Sequence, residues 1–161
     1  MRYEFERAGT VVASVLWEGP GQVTVDAIDH GTRAVVRPMR VKVREHALTD
    51  KVINTGKKGD TSGDLLTFHN PIFDRTNSHK VGHDQGDCIR ISPHAGTWEC
   101  RWLTYIAGRG AIMVEGAFFD GRNSTMAVTG GTLEFRNARG SMKLVSRHGG
   151  AQYDFIFQLL P

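Results

Sequence analysis

The residues best suited to chemistry in this chain recur at every second position of three strand-like runs, about 85–92, 97–106 and 111–119. Side chains at alternate positions of a strand point to the same face of a sheet. The residues that share this face are Cys88, Arg90, Trp98, Cys100, Trp102, Met113, Glu115, Ala117 and Phe119. The tryptophans, the methionine and the phenylalanine predict that this face is the interior. An apolar pocket with a few polar groups is the usual design of a small-molecule site.

The turn between the first two runs predicts which of these residues meet. A hairpin centred near His94 places Cys88 opposite Cys100 and Arg90 opposite Trp98. The paired cysteines can form a cross-strand disulfide, or they can remain two thiols that line the cavity. We expect reduced thiols, because disulfides are rare in the cytoplasm.

The second turn, at 107–110, predicts that Glu115 lies opposite Trp102. Arg90 and Glu115 then both face an apolar interior, where charges are almost never fully buried unless they are paired. One interpretation is an ion pair that only stabilises the barrel. The other is a polar spot in a substrate pocket, where Arg90 would bind a carboxylate or a tetronate-like anion. A slip of one residue in register would turn both groups outward.

Two earlier runs, 39–46 and 63–70, add polar groups to the same interior. Glu45 shares its face with two valines, and Asn70 shares its face with Phe68. An amide can hydrogen-bond an oxygen on which charge develops, and a carboxyl can move a proton. The sequence therefore predicts Asn70, Glu115 and Glu45 as the catalytic residues.

The elements that must position these residues are strands. The 19 glycines among 161 residues exceed the usual share of about 7%, and no segment has a convincing helical period. The eight strand candidates are about 39–46, 63–70, 85–92, 97–106, 111–119, 124–129, 138–147 and 152–160. Eight antiparallel strands can close into a barrel that holds side chains or one small ligand. The fold class we predict is all-β, a single eight-stranded antiparallel β-barrel over residues 39–161.

Residues 1–38 are predicted to be an N-terminal β extension or cap of the same domain. Three further strand candidates lie there, at Thr10–Trp17, Gln22–Ile28 and Arg33–Arg37. We expect them to cap, extend or swap onto the barrel.

Charge and composition exclude several classes of protein. A net charge of +3 from 20 basic and 17 acidic residues is too weak and dispersed for a nucleic-acid binder. No run approaches the ~20 apolar residues of a membrane span, and no secretory signal is evident. We therefore expect a cytoplasmic protein with no nucleic-acid or membrane partner. The seven histidines do not form a metal-ligand motif, so we predict no metal site and no cofactor.

Four segments of the chain resemble one known family in order and spacing. Residues 63–70 are similar to its G-D-L-x-x-F-x-N strand, and residues 81–88 to its V-G-x-x-x-G-x-C segment. Residues 114–116 resemble a V-x-G strand, and residues 130–140 resemble G-G-T-x-x-[FY]-x-x-A-x-G. The family is that of the allene oxide cyclase and dirigent proteins, which are eight-stranded barrels. Bacterial spirotetronate-forming Diels–Alderases use similar small barrels.

The resemblance implies roles for three residues. Asn70 matches an asparagine that helps to hold a water near the epoxide oxygen, and Cys88 matches a pocket-lining cysteine. Glu45 is the nearest candidate for a glutamate that assists developing charge. The chain departs from the cyclase in having no proline in the loop after Glu45, and from dirigent proteins in having Ser124 and Thr125 where those carry an Arg–acid pair.

The function that we expect is a cofactor-free cyclase or isomerase of natural-product biosynthesis. It would fold a polyene, epoxide or polyketide-type intermediate in an apolar cavity and promote ring closure. The alternative is a non-catalytic binder of small hydrophobic molecules or a dirigent-like protein. The partner would be a small hydrophobic or polyunsaturated substrate, and we expect a homo-oligomer, a dimer or a trimer. The predicted substrate-binding residues are Phe68, Cys88, Arg90, Trp98, Cys100, Trp102, Met113 and Phe119.

Overall fold

Thirteen β-strands and two single-turn 3-10 helices form the described chain. The structure, a computed structural model, describes the backbone of residues 2–7, 10–19, 22–27, 32–36 and 39–160, and the side chains of residues 39–160. The strands are β1 (Arg2–Arg7), β2 (Thr10–Gly19), β3 (Gln22–Ala27), β4 (Thr32–Val36), β5 (Met39–His46), β6 (Lys51–Ile53), β7 (Leu65–Phe73), β8 (Lys80–Ser92), β9 (Thr97–Ile106), β10 (Gly110–Phe119), β11 (Ser124–Gly131), β12 (Gly140–Arg147) and β13 (Gln152–Leu159). The 3-10 helices are Leu133–Phe135 and His148–Gly150.

The chain divides into two compact units, residues 1–39 with 160–161 and residues 40–159. The first contains a four-stranded antiparallel sheet in the order β1-β2-β3-β4. Its last three strands correspond to the three predicted ones, and β1 is additional. The expectation that this segment caps or extends the barrel stays a prediction.

The second unit is a closed barrel of eight antiparallel strands, as predicted. Its strands follow the order β5-β13-β12-β11-β10-β9-β8-β7, and β5 closes the circle by pairing with β7 through Arg44–Phe73 and Glu45–Ile72. The three-residue strand β6, which the sequence analysis did not predict, adds to the free part of β7. Closure of this kind lets alternate side chains of each strand fill one enclosed interior.

The register of β8 and β9 is the predicted one. Inward-facing residues of the two strands form a series of cross-strand pairs, here called the β8–β9 ladder. In order along the barrel the pairs are Arg90–Trp98, Cys88–Cys100, Gly86–Trp102 and Asp84–Thr104. The first three pairs confirm the hairpin centred near His94.

The register of β9 and β10 differs from the predicted one by one residue. Their loop holds three residues rather than four, since Ile106 pairs with Gly110. Val114, and not Glu115, therefore lies opposite Trp102. Gly110 can start the strand early because it adopts a φ of 114°, a region that favours glycine. A slip of one residue exchanges every inward and outward side chain of a strand.

The core of the barrel is apolar along most of its length. Its largest fully buried hydrophobic side chains are Phe135, Phe155, Phe157, Ile72, Ile112, Met126, Met142 and Val114. The alternation of Tyr153, Phe155, Phe157 and Leu159 in the sequence predicts a core or subunit-contact face, and the last three of these residues are buried in the core. Against this background, the few polar groups that the interior also contains require an explanation.

Candidate functional site

One pocket opens into the barrel interior beside the β8–β9 ladder. It combines two carboxyl groups with an apolar wall. The lining residues are Glu45, Asp50, Leu66, Phe68, Cys88, Cys100, Trp102, Phe118, Leu144, Tyr153 and Phe155. Its volume is about 40 Å³, enough for water-sized molecules. A larger ligand therefore has to move the half-buried side chains of this wall or extend out of the pocket.

The polar end of the pocket is organised around Asn70, which is fully buried. The amide nitrogen Nδ2 of Asn70 donates to Glu45 Oε1 at 2.6 Å and to Asp50 Oδ1 at 2.7 Å. The backbone N–H of Asn70 donates to Asp84 Oδ1 at 3.1 Å. One residue therefore holds three carboxyl groups together, and we call Glu45, Asp50 and Asp84 the acidic cluster.

The other end of the same amide is also occupied. Asn70 Oδ1 accepts the backbone N–H groups of Leu48 and Thr49, each at 2.9 Å, and the Thr49 hydroxyl at 3.1 Å. Both amide hydrogens are engaged with carboxylates, so Asn70 has none left for a substrate oxygen. The structure confirms that Asn70 faces inward and makes it a positioning residue for the acidic cluster.

Burial perturbs two carboxyls of the acidic cluster. The pKa of Glu45 is raised well above its ordinary value, chiefly by burial and then by the charge of Asp84, although the Asn70 hydrogen bond opposes the rise. Burial raises the pKa of Asp84 to about 7. A carboxyl that loses its hydration shell favours its neutral form. The cluster therefore holds a proton near neutral pH.

The surroundings of Glu45 and Asp84 favour their neutral forms. Asp84 Oδ2 is buried and receives no N–H or hydroxyl donor from any described residue. Glu45 and Asp84 also perturb each other's pKa, and two neighbouring carboxyls resist ionising together. We call Glu45 and Asp84 the coupled carboxyl pair.

Tyr153 completes the polar end of the pocket. Its phenol is half-buried, and burial, together with the charges of Glu45 and Asp50, raises its pKa to about 12. The phenol therefore keeps its proton across the physiological range and can donate it in a hydrogen bond. The ring packs edge-on against Phe118, with 6.0 Å between ring centroids.

At the other end of the ladder, Arg90 is enclosed by partners. Its guanidinium contacts Asp60 through Nε at 2.7 Å and Nη2 at 2.6 Å, and Asp120 through Nη1 at 2.6 Å. It also lies 4.1 Å above the Trp98 ring, whose indole N–H donates to Asp120 at 2.9 Å. The predicted pair with Glu115 is wrong, and this paired cluster leaves little of Arg90 for a substrate anion.

Three predicted site residues lie on the outer face of β10. Met113 is 47% exposed, and Glu115 is exposed as well. Phe119 contacts the Arg122 guanidinium at 3.8 Å, while its neighbour Phe118 lines the pocket. The inward orientation predicted for all three is wrong, because of the register slip between β9 and β10.

The remaining predicted residues face the interior, as expected. Phe68 is half-buried and Trp98 is buried against the same core. The other predicted site residues that are buried are Glu45, Asn70, Cys88, Arg90, Cys100 and Trp102. Those that line the pocket are Glu45, Phe68, Cys88, Cys100 and Trp102.

Cys88 and Cys100 form a disulfide. The prediction of two reduced thiols is therefore wrong, and the open alternative, a cross-strand disulfide, is the one observed. The expectation of reduced thiols rested on the predicted cytoplasmic location, a compartment in which disulfides are rare. Within the described residues, none of the helices has the length and hydropathy needed to cross a bilayer.

Sequence reasoning missed several residues of the site. Asp84 shares its parity with Cys88, and a strand drawn from residue 80 instead of 85 would have placed it inward. Phe118 was missed through the register slip, and Tyr153 was assigned to a core or subunit-contact face. Asp50 lies in a loop, where alternation gives no signal.

The histidines do not assemble a metal site in the part of the chain with described side chains. His79 is a loop residue, 82% exposed, with Nδ1 3.1 Å from Asp74. His83 lies in β8. Its ring lies between those of His69 and Tyr105, with centroid distances of 4.8 and 5.2 Å.

Comparison with known proteins identifies the barrel. The allene oxide cyclase family model matches residues 37–154, well over half of the chain. A pyocyanin demethylase is similar over 74% of this chain and 100% of its own, with 21% identity and a TM-score of 0.63.

Two further solved structures have the same fold. A pterocarpan synthase dirigent protein covers 78% of this chain and 97% of its own, with 16% identity and a TM-score of 0.60. AbnU, an exo-specific intermolecular Diels-Alderase, covers 77% and 98%, with 14% identity and a TM-score of 0.61. Likeness at such identities concerns the fold alone, whereas the family match rests on the sequence itself. The chain belongs to the allene oxide cyclase family.

Proposed function

We propose that the protein is a cofactor-free cyclase or isomerase that promotes ring closure of a small hydrophobic natural-product intermediate. The observation that carries the proposal is the buried, coupled carboxyl pair of Glu45 and Asp84, both hydrogen-bonded to Asn70 at the polar end of an apolar pocket. Perturbed carboxyls in a concave site are typical of catalytic acids and bases. The ring-forming chemistry named for AbnU supports the view that such a barrel can host cyclisation.

The apolar wall supplies shape. The half-buried side chains of Phe68, Phe118 and Tyr153 would move apart as the substrate enters, and Trp102 and the disulfide would form its deeper contacts. Holding a flexible chain in a reactive conformation contributes roughly 7–11 kcal/mol in well-oriented model systems. Pre-organisation would therefore account for much of the rate acceleration.

The acidic cluster supplies the proton and the negative charge. Glu45 lines the pocket and, in its protonated form, would donate to an epoxide or carbonyl oxygen as the ring closes. The resulting carboxylate, with Asp50 beside it, would stabilise positive charge on the substrate carbon skeleton. Asn70 keeps the two carboxyls in place. Loss of a proton from the closing carbon skeleton to Glu45 would restore the starting state, because an isomerisation neither gains nor loses protons overall.

The experiment follows ring closure of short unsaturated epoxides and polyenes by chiral-phase chromatography. An enzyme-catalysed closure gives one enantiomer in excess, whereas spontaneous closure gives a racemate. Glu45→Gln keeps the shape of the side chain and removes its ionisation, so we expect kcat to fall by about 10²–10⁴-fold, the usual contribution of general acid–base catalysis.

Glu99→Gln is the matched control, because Glu99 lies on the exposed face of β9. It should retain the wild-type rate and enantiomeric excess. Saturable binding with only racemic product would instead support a non-catalytic binder, and enantiomeric excess without rate acceleration would support a dirigent-like protein. Wild-type turnover by Glu45→Gln would contradict the role of the acidic cluster even if catalysis itself were established.

The assembly of the protein also belongs to this proposal. We expect a homo-oligomer, a dimer or a trimer, and light scattering of the purified protein measures it directly. The predicted cytoplasmic location is tested by alkylating thiols in intact cells before lysis, since a protein in a reducing compartment would carry two alkylated cysteines.

A further inference from the structure

Trp102, in the wall of the pocket, carries a strong donor that no described protein group uses. The residue is only 6% exposed and is one of those that line the pocket. Its Nε1–H is buried without an acceptor among the described residues. The other tryptophan of the ladder differs, since Trp98 Nε1 donates to Asp120 at 2.9 Å.

An unused buried donor is costly. A polar group removed from water without a partner loses about 1–3 kcal/mol, so buried tryptophans usually have an acceptor. A ligand that brings an oxygen acceptor to Trp102 recovers this loss, and one without an acceptor does not.

The charges of the pocket restrict the ligand further. The carboxyl groups that line it are those of Glu45 and Asp50, and no lysine, arginine or histidine appears among its described lining residues. Arg90, the cation expected to bind an anion, is held by Asp60 and Asp120 and does not line the pocket. A carboxylate ligand would therefore meet like charge and no counter-ion.

We propose that Trp102 is the substrate-orienting donor of this pocket, and that the substrate is an uncharged molecule with a carbonyl, ether or epoxide oxygen that accepts the indole N–H. The inference rests on the proposed function, because it names the substrate class of the same site. It assigns orientation to Trp102 and proton transfer to the acidic cluster. Placing the oxygen against the indole fixes which atoms of the substrate face Glu45.

The experiment uses three probes of nearly equal size: acetophenone, α-methylstyrene and benzoate. The first presents a neutral oxygen, the second replaces that oxygen by a CH₂ group, and the third presents a carboxylate. Binding is followed through the indole N–H resonances of the ¹⁵N-labelled protein, which contains three tryptophans. Trp102→Phe assigns the resonance of interest.

Acetophenone should shift the Trp102 N–H resonance saturably and leave that of Trp98 unchanged. Trp102→Phe should weaken acetophenone about tenfold more than α-methylstyrene, the size of one net hydrogen bond. Comparing the two probes cancels the effect of the smaller phenyl ring. Benzoate should bind at least tenfold more weakly than acetophenone.

Several results would overturn the inference. These are benzoate binding as tightly as acetophenone, no movement of the Trp102 resonance, an unchanged ratio of the two neutral probes in Trp102→Phe, or no binding by any probe. If Trp102→Phe does not fold, the affinities of the three probes for the wild-type protein still test the inference. These experiments measure binding, whereas the Glu45→Gln experiment measures turnover. If the binding results contradict the inference but Glu45→Gln still loses activity, the substrate assignment is wrong and the proposed function stands.

Discussion

The two ends of the β8–β9 ladder both bury charge, but they treat it in opposite ways. At one end Arg90 is 8% exposed and is matched by two carboxylates and an aromatic face. At the other end the acidic cluster groups like charges around one amide, and no cation partner is recorded for it among the described residues. Matched charge stabilises a fold, whereas unmatched charge shifts proton affinity.

The difference explains which end can do chemistry. Arg90 already has its hydrogen-bond partners, so a ligand would have to displace them. Burial raises the pKa of both Asp84 and Glu45, so their protonation changes with pH and with what enters the pocket. Sequence alone made both ends look similar, as isolated charges on an apolar face.

The largest effect should come from the acidic cluster when pH is varied. Because the folded-state pKa of Asp84 is raised above its unfolded value, the folded protein binds more protons between pH 4 and 7, and the unfolding free energy falls as pH rises through this range. A shift from 3.8 to about 7 corresponds to roughly 4 kcal/mol. Asp84→Asn should flatten this slope by up to that amount, as measured by urea unfolding at a series of pH values.

The matched control for the pH experiment is Asp87→Asn. Asp87 lies on the other face of β8 and is 40% exposed beside Arg101. It should keep the wild-type slope. An Asp84→Asn protein with an unchanged slope would show that the cluster is fully ionised in the folded state.

Breaking the ion pairs of Arg90 with Asp60 and Asp120 should lower the stability of the fold without changing its proton uptake. Arg90→Met leaves two aspartates without their cation, and we expect a loss of about 3 kcal/mol of unfolding free energy. Arg101→Met breaks an exposed pair with Asp87 instead, and should cost less than about 1 kcal/mol. Equal losses in the two variants, measured by denaturant unfolding, would remove the distinction between the ends of the ladder.

Between the two ends, the disulfide should stabilise the barrel. It joins residues 12 apart in sequence. Closing a loop of this size restricts the unfolded chain and should raise the free energy of unfolding by about 3 kcal/mol. Dithiothreitol should lower the thermal midpoint of the wild type. The double variant Cys88→Ala/Cys100→Ala should be insensitive to it, and a wild-type midpoint that does not move would contradict the cross-link.

The smallest effect should come from Glu115, the carboxyl that sequence placed inside. Because it is exposed on the outer face of β10, Glu115→Gln should change the unfolding free energy by less than about 0.5 kcal/mol and leave turnover unchanged. A loss of activity comparable with that of Glu45→Gln would mean that β10 has the register first predicted from sequence.

The barrel and much of its interior could be predicted because the signals are local. Alternation placed Glu45, Asn70 and Cys88 inward, and the β8–β9 hairpin had the expected register. The prediction was wrong at Met113 and Glu115, because one glycine changed the loop by a single residue. No local pattern could reveal that Asp50 approaches Asn70, since the two meet only across a loop.

Sequence by itself determined that this chain is a closed β-barrel of the allene oxide cyclase family with an apolar interior, because strand period and turn glycines are properties of neighbouring residues. Tertiary structure decided which charges are matched. Asp60 and Asp120 reach Arg90 from 30 residues away in each direction, and the acidic cluster gathers side chains from three separate segments. Proton affinity depends on such distances and on exclusion of water, so only the folded chain distinguishes the end of the ladder with matched charges from the end with the acidic cluster.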